Sequence, residues 1–183
     1  MKGVILAGGS GSRLAPMTNV MNKHLLPVYN KPMIFYPIET LVNAGIKEIL
    51  IVVSGPYAGS FISLLKNGKD FGLKHIEYAY QEGNGGIAEA LSLAEDFVNN
   101  DNMTVILGDN TTDANIKEDV EQFTFGAHLF LQNVDDPQRF GVPEFDKNGK
   151  ISKITEKPKT PASNFAVTGV YIYDQNVWKY IKM

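Results

Sequence analysis

The stretch Gly-Val-Ile-Leu-Ala-Gly-Gly-Ser-Gly-Ser-Arg-Leu, residues 3–14, decides the fold prediction for this chain. Residues 4–7 are an apolar run that includes β-branched side chains, which is typical of a strand buried on both faces. Glycines follow at positions 8, 9 and 11. Glycine permits backbone angles that other residues resist, and successive N–H groups in such a turn form a concavity that binds anions. Arg13 adds a guanidinium suited to phosphate. The stretch therefore predicts a strand followed by either an anion-binding loop or a tight turn without a ligand.

Two familiar phosphate-binding patterns do not fit this loop. A Walker loop requires a lysine directly after its last glycine, and Gly11 is followed by Ser12. A dinucleotide fingerprint requires a third glycine, and Gly9-Ser10-Gly11 is followed by Ser-Arg-Leu. The missing glycine and the basic Arg13 and Lys23 argue against a dinucleotide-binding dehydrogenase domain.

The rest of the chain alternates between strand and helix patterns. Apolar spacing predicts strands at residues 49–53, 75–80, 103–107 and 127–132, and helices at residues 33–44, 57–65, 87–98 and 116–123. Pro37 should kink the first of these helices or mark its true start, and Gly45 should end it. Farther along, the patterns predict a hairpin from residues 142–145 and 151–155, a strand at 165–173 and a helix at 174–182. We therefore expect an α/β fold, with a mostly parallel, Rossmann-like three-layer sheet, helices on both faces and a part rich in β-hairpins.

Composition limits the class of protein. The 183 residues suggest one domain with a real core, and the 44% apolar and 20% charged fractions are ordinary for a globular protein. The absence of cysteine excludes disulfides, thiolate metal sites and thiol nucleophiles. A net charge of −3 argues against nucleic-acid binding. No apolar run reaches the roughly 18 residues of a membrane helix, and Met-Lys leads straight into the first strand. We expect a cytoplasmic protein without a membrane partner.

Three segments, residues 8–13, 81–86 and 108–110, follow predicted parallel strands at their carboxyl ends, where ligands bind in such sheets. Asp109 is placed either to hold Mg²⁺ against a phosphate, or to form a turn or cap a helix, since Asp-Asn-Thr-Thr also has the composition of a cap. Gln81 and Gly86 either contact a base edge or shape a turn. Glu156 and Lys157 either bind a sugar phosphate or are solvated charges. The three histidines have no metal-ligand spacing, and we interpret those at positions 75 and 128 as structural.

Eight motifs, in order along the whole chain, resemble the sugar-1-phosphate nucleotidyltransferases, most closely the glucose-1-phosphate thymidylyltransferases and their short spore-coat-type relatives. The motifs are residues 2–14, Asn-Lys-His-Leu-Leu-Pro-Val at 22–28, Lys-Pro-Met at 31–33, Gly-Gly-Ile-Ala-Glu-Ala at 85–90, Val-Ile-Leu-Gly-Asp-Asn at 105–110, Asp-Pro-Gln-Arg-Phe-Gly at 136–141, Glu-Lys-Pro at 156–158 and Ala-Val-Thr-Gly-Val-Tyr at 166–171.

The resemblance implies one reaction. A sugar 1-phosphate oxygen attacks the α-phosphate of dTTP (or UTP), giving a nucleotide-sugar for polysaccharide biosynthesis and releasing pyrophosphate. Such transfer depends mostly on positioning and charge neutralisation, with Mg²⁺ as cofactor. The implied partners are a pyrimidine nucleoside triphosphate and glucose 1-phosphate. A second copy of the chain, in a homo-oligomer, is a further candidate partner. Residues 1–132 would form the nucleotide-binding part, and residues 133–183 a sugar-phosphate-binding part.

The resemblance also implies residue roles. The implied nucleotide-binding residues are Leu6, Gly8, Gly9, Gly11, Ser12, Gln81 and Gly86; the implied sugar-phosphate-binding residues are Gly141, Glu156, Lys157 and Val167; the implied catalytic residues are Arg13, Lys23 and Asp109. Arg13 would stabilise charge on the leaving pyrophosphate, Lys23 would bridge the phosphates, and Asp109 would bind Mg²⁺.

The chain departs from the family pattern in four places. Relatives continue to a Trp-x-Asp-x-Gly motif whose aspartate is a second metal ligand, so we expect a C-terminally truncated member with an incomplete sugar-phosphate-binding part. The alternative is a non-catalytic nucleotide- or sugar-phosphate-binding protein. Thr111 and Thr112 replace a larger apolar pair, Phe140 replaces a frequent tyrosine, and the segment 123–127 is shorter.

Overall fold

The computed structural model describes residues 1–9, 11–83 and 85–183. The strands are β1 Lys2–Ala7, β2 Pro27–Val28, β3 Lys31–Pro32, β4 Glu48–Ser54, β5 His75–Gln81, β6 Met103–Leu107, β7 Ala127–Asn133, β8 Gly141–Phe145, β9 Ile151–Glu156 and β10 Phe165–Tyr173. The helices are α1 Phe35–Asn43, α2 Ala58–Leu65, α3 Gly86–Ser92, α4 Glu95–Val98, α5 Lys117–Gln122 and α6 Val177–Ile181. Within the described ranges, no helix is long and apolar enough to cross a membrane. The chain forms two compact units, residues 1–128 with 171–183, and residues 129–170.

The first unit is organised around β1. This strand pairs in parallel with β4 on one side and β6 on the other, and β4 pairs in parallel with β5. Val4 aligns with Leu50 and Val105 across the sheet. Val4, Ile5 and Ala7 are fully buried, which explains the uninterrupted apolar run, and each large buried side chain contributes about 1.5–3 kcal/mol of transfer free energy. The predicted parallel sheet is confirmed.

Helices cover both faces of this sheet. On one face, side chains of β1, β4 and β6 pack with residues of α3, α4 and α6, among them Leu91, Phe97 and Trp178. The other face carries α1 so closely that a Cβ atom on Gly3 would lie 2.9 Å from Leu41 Cδ1. The α/β fold with helices on both sheet faces is therefore confirmed.

Helix α1 begins and ends where its sequence directs. Pro37 is its third residue, in the first turn, where a missing N–H breaks no intrahelical hydrogen bond. At the other end Gly45 adopts φ 88°, donates its N–H to Val42 O at 2.9 Å, and lets Ile46 N–H reach Leu41 O at 3.0 Å. These two bonds are the Schellman motif. Pro37 thus lies in the first turn of α1, which begins two residues later than predicted, and Gly45 ends the helix as expected.

The helix predicted at residues 87–98 is two helices, α3 and α4. Between them Ala94 N–H donates to Leu91 O at 2.9 Å, a tight turn of three residues. Leu91, Ala94 and Phe97 are all buried in the same apolar cluster. This spacing also fits one face of a continuous α-helix, so the helical period of the sequence does not show where α3 ends and α4 begins.

The second unit contains the predicted hairpin. Strands β8 and β9 pair antiparallel, and the turn between them is closed by Asp146, whose Oδ1 accepts hydrogen bonds from the N–H groups of Asn148 and Lys150. Strand β10 has the bounds that the sequence predicts, and in this unit the Thr168 hydroxyl donates to Phe130 O of β7 at 3.0 Å. The division of the chain into nucleotide and sugar-phosphate parts is functional and stays a prediction.

His24 is a polar residue of the first unit's core. Its side chain is 1% exposed and lies near the ring of Phe61, with 6.4 Å between ring centroids. Asn22 Oδ1 accepts hydrogen bonds from both the N–H and the Nδ1 of His24, so Nδ1 carries the proton. Burial, reinforced by the positive charge of Lys23 and partly offset by Asp109, lowers the pKa of His24 from 6.5 to about 4. The ring is therefore neutral at physiological pH.

We expect Gly45→Ala to lower the free energy of unfolding by about 1–2 kcal/mol, because L-residues pay that cost at positive φ. A Cβ atom at Gly45 would meet nothing within 4 Å, so the effect comes from the backbone alone. Gly59→Ala in α2 is the matched control: it also has open space, without positive φ, and should be neutral or stabilising. Urea unfolding measures both, and equal effects would contradict the backbone explanation.

We expect the free energy of unfolding to fall by about 2 kcal/mol between pH 7 and pH 5 because of His24. The folded pKa of about 4 lies below the unfolded value of 6.5, so in this window only the unfolded chain takes up the proton. The stabilisation is complete above pH 6.5 and is lost as the pH falls towards 4. Urea unfolding in a chelator, with His24→Gln and the exposed His75→Gln as control, checks this. Equal pH dependence of His24→Gln and the unmodified protein would refute it.

Candidate functional site

A cleft of about 270 Å³ opens in the first unit beyond the carboxyl ends of β1, β5 and β6. Parallel pairing brings these ends to one edge of the sheet, which is where α/β sheets bind ligands. The predicted site residues that line it are Leu6, Gly8, Gly9, Lys23, Gln81, Gly86 and Asp109. Seven residues from four separate stretches of the sequence thus meet at one cavity, although their individual roles stay predictions.

The loop after β1 requires glycine for two separate reasons. Gly9 has φ 102° and donates its N–H to Ser54 Oγ at 3.0 Å. A Cβ atom on Gly8 would lie 2.8 Å from Gln81 Oε1, so any side chain there would displace Gln81. Ser10, inside the predicted anion-binding loop, lies outside the described residues. The sequence patterns did not identify Ser54 as a site residue. Its position at the end of β4 places it at the same edge of the sheet and could have indicated it.

Gly11, Ser12 and Arg13 form the next part of the predicted loop. Gly11 has φ 61°, and a Cβ atom there would lie 2.9 Å from Thr18 Cγ2. Ser12 and Arg13 are exposed on a single turn of 3-10 helix, and neither they nor Gly11 line the cleft. Thr18 lines a second cleft of about 380 Å³, which shares Gly9 and Gln81 with the first. The phosphate roles of these residues stay predictions.

Lys23 and Asp109 meet directly in the cleft. Lys23 Nζ lies 2.5 Å from Asp109 Oδ2, and the carboxylate side chain is 43% exposed. Burial by itself would raise the pKa of Asp109, but the hydrogen bond and charge of Lys23 outweigh it and hold the pKa below its usual value. The carboxylate is therefore ionised at neutral pH, beside a cation.

Asp109 lies in a turn, as one alternative predicted, and the prediction that it caps a helix is wrong. The next helix, α5, begins at Lys117, and the segment between them contains no helix. Gly108 lets the chain turn here, because a Cβ atom on it would lie 2.9 Å from His24 Cδ2 and 3.1 Å from Ala7 Cα. Asp109 is thus held at the strand end by close backbone packing, with its side chain in the cleft.

The protein side chains at the cleft would not complete the coordination of a magnesium ion by themselves. Phosphate oxygens and water would have to supply the other ligands. In the described part of the chain, no group of three or more His, Cys, Asp or Glu residues is placed to hold a metal ion. Asp109 offers one carboxylate at the cleft. Mg²⁺ commonly uses one or two carboxylates and takes its other ligands from water and substrate phosphates. The Mg²⁺ expectation therefore stays a prediction that the residues present allow.

Gln81 is held by a neighbour that the sequence analysis missed. Gln81 Nε2 donates to Gly86 O at 3.1 Å and to Glu89 Oε2 at 2.7 Å, and the same Glu89 oxygen accepts from Gly85 N–H at 2.8 Å. Glu89 lies inside the Gly-Gly-Ile-Ala-Glu-Ala motif, which is the signal that would have found it. Asn84, in this loop, lies outside the described residues.

The four predicted sugar-phosphate residues cluster within the second unit. Gly141 pairs with Glu156 across β8 and β9. A Cβ atom on Gly141 would lie 3.3 Å from Glu156 Oε2 and 3.8 Å from Val167 Cβ. Lys157 has φ 46°, donates its N–H to Phe140 O at 2.9 Å, and places Nζ 3.4 Å from Glu156 Oε1. The structure brings these residues together, and their binding roles stay predictions.

Comparison with known proteins finds close relatives. The glucose-1-phosphate thymidylyltransferase of Neisseria meningitidis serogroup A is 46% identical over 187 aligned positions, which cover 100% of this chain and 64% of the relative. A Bacillus anthracis protein assigned as a glucose-1-phosphate thymidylyltransferase, solved in complex with sucrose, is 50% identical with a TM-score of 0.95, covering 100% of this chain and 74% of that one.

A more distant structure shows the shared fold alone. A UDP-glucose pyrophosphorylase complexed with UDP-glucose has a TM-score of 0.83 at 22% identity, covering 99% of this chain and 78% of that one. Residues 2–183 match the nucleotidyl transferase family. With this match over nearly all of its length, the chain belongs to the nucleotidyl transferase family.

Proposed function

We propose that the chain carries out nucleotidyl transfer from dTTP, or from UTP, to glucose 1-phosphate, with Mg²⁺ as cofactor. The observation that supports this most is the Lys23–Asp109 pair at 2.5 Å in a cleft lined by Gly8 and Gly9. A cation, a carboxylate and a glycine-rich loop are the groups that a triphosphate with a magnesium ion requires. The close relatives named above support the substrates.

The reaction needs no covalent enzyme intermediate. A phosphate oxygen of glucose 1-phosphate forms a bond to the α-phosphorus, and the bond between that phosphorus and the α–β bridging oxygen breaks. Pyrophosphate leaves with the electron pair. Enzymes accelerate such transfers mainly by holding the reactants in line and by neutralising charge.

Each named residue would contribute to one of these two tasks. Backbone N–H groups of the loop at Gly8 and Gly9 would hold the triphosphate, and Lys23 would contact the phosphates at the reacting centre. Arg13 would stabilise the charge that develops on pyrophosphate. Asp109 would hold Mg²⁺, which supplies further charge neutralisation on the phosphates.

The remaining substrate contacts are assigned by the same proposal. Gln81 and Gly86 would bind the pyrimidine. Gly141, Glu156 and Val167 would contact the sugar, and Lys157 its phosphate. The product, a nucleotide-sugar, would serve polysaccharide biosynthesis in the cytoplasm, where nucleoside triphosphates are made.

The direct test is pyrophosphate release by the full chain. We expect turnover with dTTP, glucose 1-phosphate and Mg²⁺, and turnover with UTP that is no faster than with dTTP. No turnover is expected when either the sugar phosphate or the metal is left out. A coupled phosphate assay measures the release. Tight dTTP binding without turnover would contradict the proposal and favour the non-catalytic binding protein.

We expect Asp109→Asn to lower metal-dependent turnover by at least about 100-fold, because the side chain loses the charge that Lys23 and Mg²⁺ both use. The fold should persist, since the side chain is 43% exposed. Pyrophosphate release and circular dichroism measure the two effects. Asp113→Asn, on the same segment, is the control and should retain turnover. Loss of folding by Asp109→Asn, or full activity, would remove Asp109 from its role.

A further inference from the structure

The side-chain amide of Gln81 is held in one orientation. Both partners of Nε2, the carbonyl oxygen of Gly86 and the carboxylate of Glu89, are hydrogen-bond acceptors. An amide nitrogen can only donate and an amide oxygen can only accept, so a rotated amide would place oxygen against oxygen at both contacts. Gln81 is 6% exposed, which limits its other rotamers. The orientation therefore follows from the partners themselves.

This orientation presents Oε1 on the side of Gly8. A Cβ atom built on Gly8 would lie 2.8 Å from Gln81 Oε1, and both residues line the cleft. The apolar residues Leu6, Ile87 and Ala90 line the same cleft. An acceptor among apolar side chains suits a flat ring that carries an N–H at its edge, because the polar group fixes the ring's orientation while apolar contacts hold its faces.

Glu89 ties this arrangement to the backbone. Its Oε2 accepts from Gln81 Nε2 at 2.7 Å and from Gly85 N–H at 2.8 Å. A Cβ atom on Gly85 would lie 2.2 Å from that oxygen, so only glycine lets the carboxylate approach this closely. The carboxylate thus links the Gln81 amide to the start of α3 through two hydrogen bonds.

We infer that Glu89 is a positioning residue that presents Gln81 Oε1 to the cleft as an acceptor, and thereby selects bases with an N–H at the ring edge over cytosine. Thymine and uracil carry a hydrogen on N3, and N3 of cytosine carries a lone pair instead. Opposite Oε1 the lone pair is repelled and both acceptors stay unsatisfied, which is costly in a buried site. The inference rests on the proposed function, since it concerns the base of the same nucleotide.

Removal of the Glu89 carboxylate should release the amide. Only Gly86 O would then hold Nε2, and the rotated amide would place Nε2 towards the cleft in part of the population. In that orientation Gln81 donates to N3 of cytosine. The preference for thymine over cytosine should therefore fall, even where the affinity for dTTP changes little.

The test compares binding of dTTP and dCTP to the full chain by titration calorimetry, because the two differ in the base alone. We expect at least about 100-fold tighter binding of dTTP to the unmodified protein, and a loss of about 10-fold or more in this ratio for Glu89→Leu. Glu89→Gln should restore the ratio, since the Oε1 of glutamine can accept from both donors. Glu121→Leu, an exposed change on α5, should leave it unchanged.

A second measurement needs no nucleotide. We expect the Gln81 side-chain amide protons to exchange slowly with solvent in the unmodified protein and in Glu89→Gln, and rapidly in Glu89→Leu, as followed by NMR. Equal losses of dTTP and dCTP binding in Glu89→Leu would show a merely structural role and overturn the inference. Failure of both dTTP and dCTP to bind the unmodified protein would instead overturn the proposed function, and the base selection with it.

Discussion

The parallel pairing of β1 with both β4 and β6 is the constraint on which the rest of the first unit depends. It uses the backbone groups of a strand that is buried on both faces, and it sets the register in which Val4 aligns with Leu50 and Val105. Because parallel strands end at one edge, the residues that follow them must share that edge. The glycine loop, Gln81 and Asp109 therefore line one cleft, although they are far apart along the chain.

Glycines that allow other groups to approach the backbone closely then determine where the side chains around the cleft lie. Gly8 leaves room for Gln81 Oε1, and Gly108 brings Asp109 past His24. Charge is concentrated at one point of the cleft, where Lys23 and Asp109 are paired at 2.5 Å. The neighbouring His24 stays neutral because it is buried. A neutral His24 leaves the pair's charges unaltered near neutral pH. The cleft thus joins a glycine-rich loop to a pair of opposite charges, which is the combination that binding of a triphosphate requires.

Much of this arrangement could be predicted because it depends on local patterns. The apolar run at residues 4–7 indicates a doubly buried strand, and Gly45 indicates the helix end that it makes. Predictions failed where a local pattern fits more than one structure. The break between α3 and α4 lies among buried residues, Leu91, Ala94 and Phe97, whose spacing also fits a continuous helix. Likewise Asp109-Asn110-Thr111-Thr112 has the composition of a cap, and only the position of α5 shows that it caps nothing.

By itself, the sequence determined the α/β class, the strand and helix order, the family resemblance and the residues that follow each strand. These depend on periodicity, on glycine and proline geometry, and on motifs that are contiguous in the chain. Only the tertiary structure decided which side chains touch: the Lys23–Asp109 pair, the hydrogen bond from Gly9 to Ser54, and the grip of Glu89 on Gln81. The physical reason is that hydrogen bonds and ion pairs act over a few ångströms, and separation along the chain does not specify distances of that size.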